Sequence, residues 1–130
     1  MCAKGGVGAV TRAPIGITRT LPETREMLIA LLEEIAAVGR GLWVRLPHDA
    51  ALRALRQLDT QPPEGTASMQ RDIAEGKPSE LDQQTGAVIR LGRQAGIPTP
   101  ANDFVYAALL PQERAARERA GLAMCAQPDN

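Results

Sequence analysis

Aromatic side chains are nearly absent from this chain of 130 residues: Trp43, Phe104 and Tyr106 are the whole set. With so few π faces there is no platform on which bases could stack. The core is left to Leu, Ile, Val and Ala, a mixture that favours helices over β-branched, aromatic sheets. Charge of one sign is not in excess either. Lys+Arg and Asp+Glu balance at 15 each, which removes the bulk electrostatic case for nucleic acid or an anionic membrane. Cys2 and Cys125 lie near opposite ends without C-x-x-C spacing, and His48 is the single histidine. That argues against a disulfide framework or a metal site and predicts reduced thiols. No apolar run reaches about 18 residues, and no basic-then-apolar leader opens the chain, so the expectation is a soluble, cytoplasmic protein. The length suits one domain with a core of its own.

What is present repeats at helical spacing. Met1 to Arg12 is small and apolar and reads as a truncated helix, followed by a connection from Ala13 to Ile17. Thr20-Leu21-Pro22-Glu23 has the shape of a capping box, and Met27, Leu28, Leu31, Leu32, Ile35 and Val38 then mark a helix that Gly39 or Gly41 should end. After a Trp43 to Pro47 link, with Trp43 expected as a partly buried packing residue, Leu52, Leu55 and Leu58 predict a shorter helix. His48 at its entry reads as a cap or surface residue. Gln61 to Gly65 breaks the chain, Thr66 to Glu75 forms a helix, and Gly76 closes it.

Ser79-Glu80-Leu81-Asp82 places an acceptor at a cap and carboxylates in a first turn. The helix it opens runs to Ala95 and buries Leu81, Thr85, Val88, Ile89 and Gly92, and Gly96 stops it. A last helix carries Phe104, Val105, Ala108 and Leu109. Pro111 should interrupt it, leaving Glu113, Arg114, Arg117, Glu118 and Arg119 as a solvated, mixed-sign face. Gln127 to Asn130 is expected to be disordered. No segment alternates as a strand does, so the fold class is all-α, with one domain over 1–122 and a tail over 123–130.

Lys4-Gly5-Gly6-Val7-Gly8 imitates the opening of a phosphate-binding loop. Such a loop must continue into Gly-Lys-Ser/Thr, whose lysine and hydroxyl serve the phosphates and magnesium. Ala9 and Val10 follow instead, so the stretch reads as small residues in a closely packed helix.

The most specific stretch lies between Ser68 and Pro100. Ser68-Met69-Gln70-Arg71-Asp72-Ile73 is followed by Gly76-Lys77-Pro78-Ser79-Glu80-Leu81-Asp82, then Gly86, Gly92 and Gly96-Ile97-Pro98-Thr99-Pro100. This pattern resembles the C-terminal helical domain of ketopantoate reductases (2-dehydropantoate 2-reductases), and the likeness extends from about Met1 to Leu110. The resemblance implies the multi-helix domain shared with 6-phosphogluconate dehydrogenase-type enzymes. It also implies a full-length enzyme in which a Rossmann domain holds NADPH and a branched 2-oxo acid sits between the two domains. No G-x-G-x-x-G between a strand and a helix occurs here, so no cofactor-binding residue is assigned.

By the same resemblance Ser68 matches a serine whose hydroxyl binds the substrate carboxylate. Glu80 matches a glutamate that faces the substrate hydroxyl and a catalytic lysine. Each could also be an ordinary first-turn helix residue. The family lysine would fall about one turn before Met1, so no catalytic residue is expected in this chain, and Lys4 is out of register to replace it. Asp72 and Asp82 match as structural groups, capping or bridging to nearby arginines. Two departures, Gly65 where asparagine is frequent and Thr85-Gly86 where Asn-Gly is usual, leave open ketopantoate or another 2-oxo acid. The expectation is a substrate-binding and dimer-forming domain, inactive as an isolated chain. The alternative is a free-standing helical dimerisation module without catalysis.

Overall fold

The computed structural model describes residues 2–122, and among them every regular element is helical and none is a strand. The order is α1 (Cys2–Thr11), α2 (Ile15–Thr18), α3 (Pro22–Gly41), α4 (Ala50–Asp59) and α5 (Ser68–Ala74). A π-helical turn, Asp82–Gly86, then leads into α6 (Ala87–Ala95), and α7 (Pro100–Ala120) follows. The tail over 123–130, including Cys125 and the stretch expected to be disordered, lies outside the described residues.

The Gly-Gly-Val-Gly segment sits inside α1, as expected for a closely packed helix. Ala3, Gly5, Gly6, Val7, Gly8 and Ala9 are all buried, and α1 touches α2, α3, α5 and α7. Glycine in a helix interior costs roughly 1 kcal/mol relative to alanine, and here the small surface lets four helices close on one. At Gly8 the requirement is steric, because a Cβ would collide with the Gln70 side-chain amide. Around this axis Val7, Leu28, Leu31, Met69, Leu81, Val105 and Leu109 are almost wholly excluded from solvent.

Several elements depart from the sequence expectation for local reasons. The connection at Ala13 to Ile17 already turns into α2, and Thr20 helps to close it by donating its hydroxyl to Gly16 O (2.6 Å). Thr20 therefore does not cap α3. Leu21 occupies the cap position without a side-chain bond, and Pro22 opens the helix. At the other end, Gly41 is not the residue that turns the chain. A side chain there would press on Ile97 and Ala95, and Trp43 takes the left-handed conformation instead (φ 64°). Val44 N–H then closes on Gly39 O (2.9 Å), and Trp43 is left 93% exposed rather than packed. Gly76 and Gly96 do act as stops, with φ of 71° and 70°. Each is followed by a backbone bond spanning the turn, Lys77 N–H to Asp72 O and Ile97 N–H to Gly92 O, both 2.8 Å.

The largest correction concerns α7, which passes straight through Pro111. Proline removes a backbone donor and crowds the preceding turn, a cost of about 3 kcal/mol or more. Buried contacts on both sides outweigh it: Val105, Tyr106 and Leu109 before, Glu113, Ala116 and Arg117 after. Along the same helix Val105 and Leu109 enter the core, whereas Phe104 and Ala108 face solvent. Glu34 of α3 fixes its start, accepting the N–H groups of Ala101 (2.9 Å) and Asn102 (3.0 Å). In the helix before it, Leu81, Thr85, Ile89 and Gly92 are buried as expected, and Val88 is half-buried.

Candidate functional site

Ser68 is the first residue of α5 and is exposed. The cap position belongs to Ala67, so the Ser68 hydroxyl is not spent on the helix end. Gln70 anchors that end instead. Its Oε1 faces Ala67 N–H (3.5 Å), and its Nε2 donates to Ala13 O (3.0 Å). Among the described residues the Ser68 hydroxyl makes no hydrogen bond, while its neighbours Met69 and Gln70 are buried against α1.

Glu80 lies on the far side of the Gly76-Lys77-Pro78 turn and is also exposed. Its Oε2 accepts one bond, from Gln84 Nε2 (2.8 Å). No hydrogen bond joins Ser68 to Glu80. The turn between them is pinned from α7: Arg119 Nη2 donates to Gly76 O (3.1 Å) and Arg117 Nη2 to Ser79 O (3.3 Å).

The other hydroxyls and carboxylates of the motif are buried and used internally. Glu113, 1% exposed, accepts the Ser79 hydroxyl (2.6 Å) and the Ser79 N–H (3.0 and 3.2 Å to its two oxygens). Ser79 Oγ in turn accepts Leu81 N–H (3.2 Å), which realises the expected cap. Arg117 Nε completes the cluster on Glu113 Oε1 (2.8 Å). The stretch expected as a solvated face is therefore half interior. Its i,i+4 spacing could have signalled a Glu113–Arg117 pair, but only the continuation of α7 beyond Pro111 carries that pair under the turn.

Asp82 is fully buried and accepts the Tyr106 hydroxyl (2.6 Å). Arg90 lies 3.7 Å from its carboxylate and donates Nη2 to its carbonyl (3.0 Å), as expected of a structural aspartate beside an arginine. A side chain at Gly86 would intrude on all three residues. Asp72 is half-buried and contributes its carbonyl to the Gly76 stop. The π-turn begins two residues after Glu80. Such widened turns are frequent at functional sites.

At the two departures from the family pattern, other groups fill the space. Lys4 Nζ, bonded to Gln61 Oε1 (2.6 Å), lies 3.5 Å from where a Cβ on Gly65 would stand. Thr85 Oγ1 meets Cys2 Sγ at 3.4 Å, and burial raises the Cys2 thiol above its ordinary pKa. His48 is exposed, as expected of a surface residue.

A family model described as the C-terminal part of the ketopantoate reductases PanE/ApbA matches residues 1–113. The chain belongs to this family. The 2-dehydropantoate 2-reductase of Caulobacter vibrioides is 33% identical over 108 residues, which cover 83% of this chain and 37% of that enzyme. The crystal structure of a PanE/ApbA family ketopantoate reductase from Ralstonia eutropha superposes with a TM-score of 0.78 at 34% identity, covering 89% of this chain and 39% of that one. A dimeric ketopantoate reductase from Staphylococcus aureus shares the fold with a TM-score of 0.80 at 22% identity. The all-α architecture is thus that of the ketopantoate reductase C-terminal domain, and the chain spans less than two-fifths of these relatives.

Proposed function

We propose that this chain is the substrate-binding half of a ketopantoate reductase-like, NADPH-dependent oxidoreductase acting on a 2-oxo acid. Family membership sets the class. The observation that supports the residue assignment is a partition within one motif. Ser79 and Asp82 are buried and saturated, whereas Ser68 and Glu80 are exposed at the starts of their helices. Ser68 donates its hydroxyl to the substrate carboxylate, and Glu80 accepts a hydrogen bond from the substrate hydroxyl.

The described residues do not suit a dinucleotide. The one glycine-rich segment is interior helix with no exposed backbone amides to offer a pyrophosphate. The nicotinamide site belongs to the other half of the enzyme, the proton-donating lysine of the family falls about one turn ahead of Met1 in the helix that α1 continues, and the 130 residues alone are inactive. Association of two copies is part of the same reading. Its support is apolar surface left outside the core, with Phe104 64% and Leu52 45% exposed.

The test is steady-state kinetics of Ser68→Ala in the complete two-domain enzyme. Losing a hydrogen bond to a carboxylate should raise KM for the 2-oxo acid about tenfold and leave KM for NADPH unchanged. Unaltered kinetics with both substrates would remove Ser68 from the site.

A further inference from the structure

A cleft of about 160 Å³ lies between α1 and α5, and neither Ser68 nor Glu80 lines it. Its apolar lining is Ala9, Ile73 and Ala74, beside Gly8, Thr66 and the buried Gln70, and its charged lining residues are Arg12 and Arg71, with no carboxylate among the lining. Glu75, the acid after α5, is engaged with Lys77 (2.6 Å). Two cations therefore share one small cleft in a chain of zero formal net charge.

The arginines differ in how they are held. Arg71 is fixed through Nη1, which donates to Thr66 O and Thr66 Oγ1, both at 2.9 Å. Its Nε and Nη2 make no bond among the described residues. Arg12 has no side-chain hydrogen bond or ion pair among the described residues at all. It also stands where α1 ends in a left-handed residue, with φ of 58° and its N–H on Gly8 O (2.7 Å). Glycine is the residue that such a helix end favours, and an arginine there gives up stability that glycine would keep. Neither packing nor pairing repays that choice within the chain.

We propose that the cleft binds a small organic anion, a carboxylate carrying a short branched aliphatic chain. The two guanidinium groups clamp the carboxylate, a geometry suited to arginine, and the tail rests on Ala9, Ile73 and Ala74. At about 160 Å³ the cleft has room for a small acid with a short branched tail. This site is separate from the one assigned to Ser68 and Glu80.

The full chain, uniformly labelled with nitrogen-15, is titrated with 3-methylbutanoate, with acetate and with inorganic phosphate, while amide shifts are followed. The expected result is saturable movement of Ala9, Ile73 and Ala74 with 3-methylbutanoate, and binding at least about tenfold weaker for acetate, which lacks the branched tail. Arg12→Gly is the decisive variant because its backbone suits φ of 58°. It should melt no lower than the parent yet bind the acid about tenfold more weakly, the order of one lost charged hydrogen bond. Arg71→Gln should weaken binding in the same way. The proposal is overturned if the cleft amides stay still, if phosphate binds as tightly as the branched acid, or if Arg12→Gly binds like the parent or lowers the melting temperature. Shifts confined to Ser68 and Glu80 would overturn it too, while supporting the other site.

Discussion

Ser79 donates its hydroxyl to Glu113 across 2.6 Å and 34 positions of sequence, with both residues buried. This bond, with Arg117 on the other side of the carboxylate, ties the end of α7 to the turn that presents Glu80. The turn that leads to Glu80 therefore depends on a helix segment that composition alone marks as surface.

Glu113→Ala should be among the most damaging single changes in the chain. It strands the Ser79 N–H, the Ser79 hydroxyl and the Arg117 guanidinium without their shared acceptor. Breaking a buried ion pair from one side costs about 3–5 kcal/mol. Urea unfolding followed by circular dichroism should show a loss of that order. A loss below about 1 kcal/mol, the range of an exposed pair, would return the residue to the solvated face.

Pro111→Ala should stabilise the protein. The substitution restores a helical N–H and removes a ring clash worth about 3 kcal/mol, while the unfolded chain regains about 1 kcal/mol of freedom. A net gain of about 2 kcal/mol is expected by thermal and urea unfolding. A lower melting temperature would mean that the proline shapes a bend on which the core relies.

Gly16→Ala should be costly for a different reason. A Cβ there would meet the Pro63 Cβ at 2.6 Å and the Pro63 backbone O and Cα at 2.7 and 2.8 Å, where Gly16 N–H bonds Pro63 O (2.8 Å). Backbone cannot swing aside as a side chain can, so overpacking of about 1–3 kcal/mol is expected. Gly96→Ala offers the contrast. Nothing crowds that position, and only the left-handed conformation is penalised, by about 1 kcal/mol. Equal costs for the two changes would contradict this distinction between steric and conformational glycines.

Most of the helical layout was legible from apolar spacing and from glycine stops, because both are local. Gly76 and Gly96 end their helices as their local sequence predicts, and the Ser68 to Pro100 motif carries the resemblance to the family to which the chain belongs. What could not be read depended on distant partners. Pro111 obeys its local rule only if nothing elsewhere holds the helix, and Glu113 and Arg117 look like surface until Ser79 is known to lie beneath them. Leu28, Leu81 and Ile89 are buried within the chain and Leu32 is half-buried, so the apolar surface left over lies at residues such as Phe104 and Leu52. Trp43 is exposed rather than packed because it, and not Gly41, takes the left-handed turn, while Gly41 lets Ile97 and Ala95 approach closely. For the site, the resemblance named Ser68 and Glu80, but the separation of exposed from buried groups within the motif required the fold.

Oxidation of NADPH with ketopantoate as acceptor tests the central claim most directly. It should be followed with the 130-residue chain alone and with the chain joined to the whole part of its Caulobacter vibrioides relative that precedes the matched segment, the turn carrying the family lysine included. The chain alone should show no turnover. The joined enzyme should turn over, and Glu80→Gln in it should lower kcat/KM about ten- to a hundredfold through the loss of one charged hydrogen bond, with the melting temperature almost unchanged. Turnover by the chain alone would contradict the account. So would a joined Glu80→Gln enzyme as active as its parent but less stable, which would make the carboxylate a helix cap and nothing more.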